Sequence, residues 1–215
     1  MTKYLEIIIV QLKPEHLADY LASAAKGIAF AKKHGADILG TFITECGADG
    51  PEIVILQSWD SIEARGGVRA AAHGDEAWHA YWKKVTPWTR SIQTHLTVLT
   101  SGSQATHLAD YKNLVMETFN ISGSPPDALK LLVKAEEGWN KEHPNTPAAT
   151  ITRAYTLFSP DSPMLWQFYK ADGMEQMVVD WFDFMEDEKN ADSVRELCDK
   201  ISPKHCRLLG PLPQH

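Results

Sequence analysis

An α+β fold is predicted for this chain of 215 residues: two tandem ferredoxin-like βαββαβ repeats, residues 1–103 and 104–215, closing into one barrel as a pseudo-dimer within a single chain. Three observations carry the expectation. The first is an internal repeat. "LKPEHLADYLASAAKGIAFAKKHG" returns about 111 residues later as "SPPDALKLLVKAEEGWNKEHPN", and one ungapped register sets Glu6 over Glu117, Pro14 over Pro125 and Gly27 over Gly138. The second is the order of strand-like and helix-like segments, β-α-β-β-α-β in each half. The third is geometric. One such unit covers a single sheet face with its helices, so two units bury their remaining apolar faces against each other.

Each element has its own signal. "KYLEIIIVQ" is short, β-branched and strand-like. In the helix that follows, Leu17, Tyr20, Leu21, Ala24 and Ile28 share one face, and Gly35 stops it after His34. "DILGTFITEC" and "PEIVILQSW" read as strands parted by the turn "GADGP". A helical region from Ser61 to Thr86 is broken near "HGDE", and "SIQTHLTVLT" closes the first unit. The polar, turn-rich "SGSQATHLADY" reads as a linker, with the boundary near Gln104. In the second unit Ala128, Leu131, Leu132, Ala135 and Trp139 form the helical stripe. Its strands are "KNLVMETFNIS", "ATITRAYTLF", "PMLWQFYK" and a short "HCRLLG".

Composition narrows the function classes. A net charge of −7 with no Lys/Arg cluster argues against a nucleic-acid surface. The apolar run "KYLEIIIVQL" is too short to span a bilayer and lacks the flanks of a secretory signal. Three widely spaced cysteines without a CxxC argue against a disulfide framework, and a reducing cytoplasm is the simplest location. GxGxxG after a strand, GxxxxGK[ST], HExxH and GxSxG are all absent, and no zinc or iron ligand set has a recognisable spacing. No metal or cofactor is therefore expected, with haem the one exception, because a single axial histidine needs no motif.

Several stretches carry a family resemblance. "YLEIIIVQLKPEHLADYL", "KKHGADILGTFITECG", "ILQSWDSIEAR" and "DEAWHAYWKKVTPW" resemble the NIPSNAP group of the dimeric α/β-barrel superfamily. The shared landmarks are a first strand running into Lys-Pro, a helix ending in His-Gly, a Trp-Asp-Ser strand exit and an Asp-x-x-Trp helix start. They run in order from Tyr4 to about Leu99; the second half reads "EHPN" and "YKADG" where two of them would stand. The resemblance implies a fused pseudo-dimer with a cavity between sheet and helices in each half. The superfamily includes cofactor-free monooxygenases, haem-degrading enzymes, isomerases and cyclases.

Trp78, Tyr81, Trp82 and Val85 fall at i, i+3, i+4 and i+7, one face of a helix that Pro87 ends. Aligning Pro87 with Pro203 sets Val194, Leu197, Cys198 and Ile201 in those places, so this helix position does not require large aromatics. A flat-walled pocket for an aromatic ligand explains them, beside the plainer reading of a bulky core. The expected substrate walls are Trp59, Trp78 and Trp82, with Tyr81 and His79 as polar contacts. His95, on an otherwise apolar strand, is the candidate acid/base, against a histidine satisfied by its neighbours. Glu6 and Glu117 recur in both halves and point to a shared structural role. Glu45 and Arg65 read as a solvated pair, and Arg153 and Arg207 as binders of an anionic substrate group or members of internal ion pairs. A second aromatic cluster, Trp181, Phe182, Phe184 and Met185, is one that Trp139 and Trp166 could join. The function expected is a small-molecule enzyme on a hydrophobic, aromatic substrate, of monooxygenase, isomerase or lyase type. The alternatives are a non-catalytic binder of a hydrophobic metabolite or haem, and an interaction protein whose aromatics face another subunit in a homo-oligomer.

Overall fold

The computed structural model describes residues 4–100, 103, 105–144, 150–158, 163–172 and 174–212. The first half runs β1 (Tyr4–Leu12), α1 (Leu17–Lys33), β2 (Asp37–Cys46), β3 (Glu52–Trp59), α2 (Ile62–His73), α3 (Glu76–Val85) and β4 (Thr89–Leu99). The second repeats that succession with β5 (Leu114–Ile121), α4 (Pro125–Glu142), β6 (Thr150–Phe158), β7 (Met164–Lys170), α5 (Met174–Glu186), α6 (Ala191–Lys200) and β8 (Ile201–Pro211). The helical break expected near "HGDE" falls at Gly74 and Asp75. Gly74 closes α2, and the Asp75 carboxylate caps α3 by accepting from the Ala77 N–H at 2.9 Å.

The strands form a closed antiparallel barrel in the order β1-β3-β2-β8-β5-β7-β6-β4. The halves meet where β2 pairs with β8 and β4 with β6, so one chain supplies every strand of the ring. Alternation along the strands sorts the side chains. Leu5, Ile7, Ile9, Phe42, Val54 and Leu56 fill the barrel interior with Leu114, Met116, Trp166 and Phe168. Val10, Leu12, Ile53, Tyr20, Tyr81 and Val85 pack between the first sheet and its helices. Phe119, Leu132, Leu165, Leu197 and Ile201 do the same in the second half.

Three expectations need correction. Gln104 lies outside the described residues, but the segment just after it is no surface linker. Ala105–Asp110 forms a 3-10 helix whose Ala105 and Leu108, three residues apart and so on one side of such a turn, are fully buried in the barrel core. The closing strand is also longer than "HCRLLG". It starts directly after α6 and tolerates Pro203 because the ladder to β5 shifts register there, between Thr118 and Phe119. Trp166 stays in the barrel, whereas Trp139 joins Phe184 edge-on at 5.9 Å between ring centroids; the side chain of Trp181 lies outside the described set.

One buried ion pair ties the halves together. Arg207 on β8 donates through Nε to Glu52 Oε1 at 2.7 Å, and Thr44 donates to the same oxygen at 2.9 Å. Arg207 therefore takes the internal-pair role of its two expected ones.

Candidate functional site

A cavity of about 90 Å³ lies in the first half between the outer face of the sheet and the helices. Ile8, Ile38 and Ile55 form its floor, Tyr20, Ala24 and Gly27 of α1 one wall, and Trp59, Trp78, Tyr81 and Trp82 the rest of its aromatic lining. All four of these aromatics were expected around one pocket. Their rings interlock: Trp78 meets Trp82 edge-on at 5.5 Å and stacks on Tyr81 at 6.1 Å.

Gly27 makes that arrangement possible, because a β-carbon there would run into the Tyr81 hydroxyl. At Gly138, its counterpart on α4, the nearest side-chain atom would be Phe184 at an ordinary 3.7 Å. The same substitution should then have opposite signs. Gly27→Ala should destabilise by about 1–3 kcal/mol through overpacking, while Gly138→Ala should stabilise by up to about 1 kcal/mol through helix propensity. Urea denaturation of the two variants checks both, and equal shifts would contradict the close approach.

Polar groups reach the cavity at two places. His34, the last residue before the Gly35 turn, lines it and engages Asp75 through Nε2 at 2.8 Å. A carboxylate only accepts, so the ring nitrogen facing it carries the proton, and in the neutral ring Nδ1 is left as the basic nitrogen. Lys33 donates to the same Asp75 oxygen at 2.7 Å and, as the largest cause, holds that carboxyl well below the usual range. Asp75 is thus a fixed anion that orients the imidazole, the geometry of a carboxylate–histidine pair.

The second polar place surrounds Glu6, fully buried on β1. Its Oε2 accepts from the Trp59 indole at 2.9 Å. Its Oε1 accepts from Arg65 at 3.0 and 2.6 Å and from Arg69 at 2.7 Å. Arg65 therefore pairs with Glu6, not in a solvated pair with Glu45. Arg69, Gln57 and Trp59 all face the cavity. Burial pushes the phenols of Tyr20 and Tyr81 up, so both stay protonated near neutrality and act as hydrogen-bond donors, not bases.

The expected histidines lie elsewhere. His95 pairs across from Ile7 and so points into the barrel, where its ring lies 4.8 Å from that of Trp166 and it is 1% exposed. His79 is exposed, with Nε2 2.6 Å from the backbone oxygen of His73. Neither borders the cavity.

Comparison with known proteins matches residues 5–104 to the NIPSNAP family model. The first half of the chain is a NIPSNAP domain. Over the whole chain the fold is similar to a Fusobacterium nucleatum protein described as a "putative monooxygenase", at 12% identity and a TM-score of 0.57, covering 99% of this chain and 93% of that one. A second protein so described, from Lactobacillus acidophilus, is 15% identical with a TM-score of 0.55 over 99% and 97% of the two chains. A "putative chlorite dismutase" is 9% identical with a TM-score of 0.59 over 100% and 96%. These likenesses show a fold of dimeric α/β-barrel type. No curated protein matches the chain.

Within the NIPSNAP domain the sequence landmarks converge on one place. His34 of His-Gly, Trp59 of Trp-Asp-Ser and Trp78 of Asp-x-x-Trp all line the cavity, and Asp75 of the last holds His34. The second half carries a different set of groups in the corresponding place. Glu6, Gln57 and Ile38 stand side by side across β1, β3 and β2, and Glu117, Gln167 and Arg153 do so across β5, β7 and β6. There, Arg153 is ion-paired with Glu136 of α4, and Gln167 donates to Glu136 and to Thr150, each at 2.7 Å. Trp139, fully buried, stacks on His143 at 4.3 Å. Arg153 is therefore held in an internal network, away from the NIPSNAP cavity. Glu117 keeps a hydrogen-bonding aromatic partner, the Tyr169 hydroxyl at 3.0 Å, and burial pushes its carboxyl up.

Proposed function

We propose that the cavity of the NIPSNAP domain is a catalytic site for a hydrophobic, aromatic small molecule. His34 is assigned as its acid/base and Asp75 as the residue that positions it. The single observation behind this reading is a carboxylate-held histidine on the wall of an otherwise aromatic and aliphatic cavity. Trp59, Trp78 and Trp82 would present flat faces to the substrate, and Tyr20 and Tyr81 would donate hydrogen bonds to its oxygen atoms. The Nδ1 of His34 would take a proton from the bound molecule and return it, a step shared by isomerisation, elimination and cofactor-free oxygenation. The monooxygenase descriptions of two fold relatives agree with the last of these. No tightly bound metal is assigned to the site, and residues 1–103 and 104–215 are read as a fused pair of ferredoxin-like repeats, the first of which carries the site. No helix among the described residues is long and apolar enough to cross a membrane.

The test is Trp82→Leu together with His34→Gln, read by saturable quenching of tryptophan emission with a neutral single-ring nitroarene. Trp82 already borders a void. Its replacement should therefore cost well under the about 3–5 kcal/mol of truncating a ring in a packed core, and should weaken binding at least fivefold. Strong destabilisation with unaltered affinity would return the aromatic face to plain core. His34→Gln should keep binding and lose turnover; a variant that still turns over would remove His34 from the acid/base role, and binding without turnover by the unaltered protein would reduce the site to a binder.

A further inference from the structure

The Glu6 cluster carries more positive charge than it needs. Its carboxylate is fully buried and takes four N–H donors, one from Trp59, two from Arg65 and one from Arg69. Arg65 alone neutralises it, with Nε and Nη2 both donating to Oε1 in charge-assisted bonds. Arg69 adds a second full charge to the same oxygen, and among the described residues Glu6 is its only ion-pair partner. The Arg69 side chain is 41% exposed and lines the cavity, whose other lining is mostly aliphatic and aromatic. A surplus guanidinium beside low-dielectric walls attracts an anion more strongly than the same group in open solvent. Its fork of donors matches a carboxylate, and its plane stacks on aromatic faces.

We infer that the molecule bound in this cavity is an aromatic acid, with its ring among Trp59, Trp78 and Trp82 and its carboxylate docked on Arg69. The inference rests on the small-molecule reading above and names the class of molecule. Arg69 is thereby a specificity residue. It fixes the charged end of the ligand, and His34, on a different part of the wall, is left to the other end. The Arg69 to Glu6 contact needs only one of the guanidinium nitrogens, so docking leaves the buried cluster intact.

Calorimetric titration with benzoate and its neutral isostere benzamide tests the assignment. The acid should bind at least tenfold more tightly than the amide, and that preference should fall as salt is raised. Arg69→Gln should abolish the preference while leaving amide affinity within twofold, and Arg69→Lys should retain part of it. The thermal midpoint of Arg69→Gln, read alongside, should stay near that of the unaltered protein because Arg65 and Trp59 still satisfy Glu6. Equal affinity for acid and amide would overturn the anion docking and leave the aromatic cavity standing. Binding of neither would overturn the cavity reading and this inference with it. A preference that survives Arg69→Gln would assign the anion to another group.

Discussion

Expressed alone, residues 1–101 should fail to give a monomer. The cut would expose Leu5, Ile7, Ile9, Phe42, Val54 and Leu56, all buried in the shared barrel interior. Each fully buried aliphatic or aromatic side chain contributes about 1.5–3 kcal/mol, so the loss is on the order of 10 kcal/mol, comparable to the whole stability of an ordinary domain. It would also leave β2 and β4 without their partners β8 and β6, and unpaired edges are templates for association. Size-exclusion chromatography with light scattering should show a dimer, in which a second copy replaces the missing half, or insoluble material. A monomer with a dispersed amide spectrum would contradict the shared core.

The second large effect concerns Glu6. Replacing both Arg65 and Arg69 with methionine should destabilise the protein by about 3–5 kcal/mol, the cost of leaving a buried charge uncompensated. Glu6 has no exposed surface, and only the Trp59 indole would remain as a donor to it. Either single variant should cost much less, since one guanidinium would persist. The excess in the double variant is therefore a coupling energy that a mutant cycle measures. Adding Glu6→Gln to the double variant should recover part of the loss, because a neutral amide is cheaper to bury. Additive single effects, with no recovery by Gln, would mean that solvent already reaches the carboxylate.

The aromatic wall was readable in the sequence because a 3.6-residue period names a helix face directly. Trp78, Tyr81 and Trp82 needed no knowledge of what lay opposite. His95 was harder for a physical reason. Alternation along β4 separates two faces, but in this fold both are buried, one in the barrel and one under the helices, and periodicity does not say which face borders a cavity. His34 was read only as a helix end before Gly35, because its partner Asp75 lies 41 residues away. The His-Gly and Asp-x-x-Trp landmarks held the signal, as two halves of one pair. The role of Glu6 as a structural acid was legible from its recurrence as Glu117 in the second half. Its arginines, one turn apart on α2, were not, since a carboxylate in one element does not name its counterions in another. The buried Ala105 and Leu108 were hidden by the polar residues around them, which made the segment look like surface.

The closed ring made by one chain has a consequence for how its two sides can differ. In a barrel built from two identical chains, every codon change appears twice, and a bulky residue that plugs one cavity plugs both. Here each position occurs once. Trp139 and the Arg153–Glu136 pair could thicken one side without touching the other. The second side is then free to act as a rigid buttress. A mutational scan should accordingly show substitutions on that side acting through folding yield, and those around the open cavity acting through ligand selectivity.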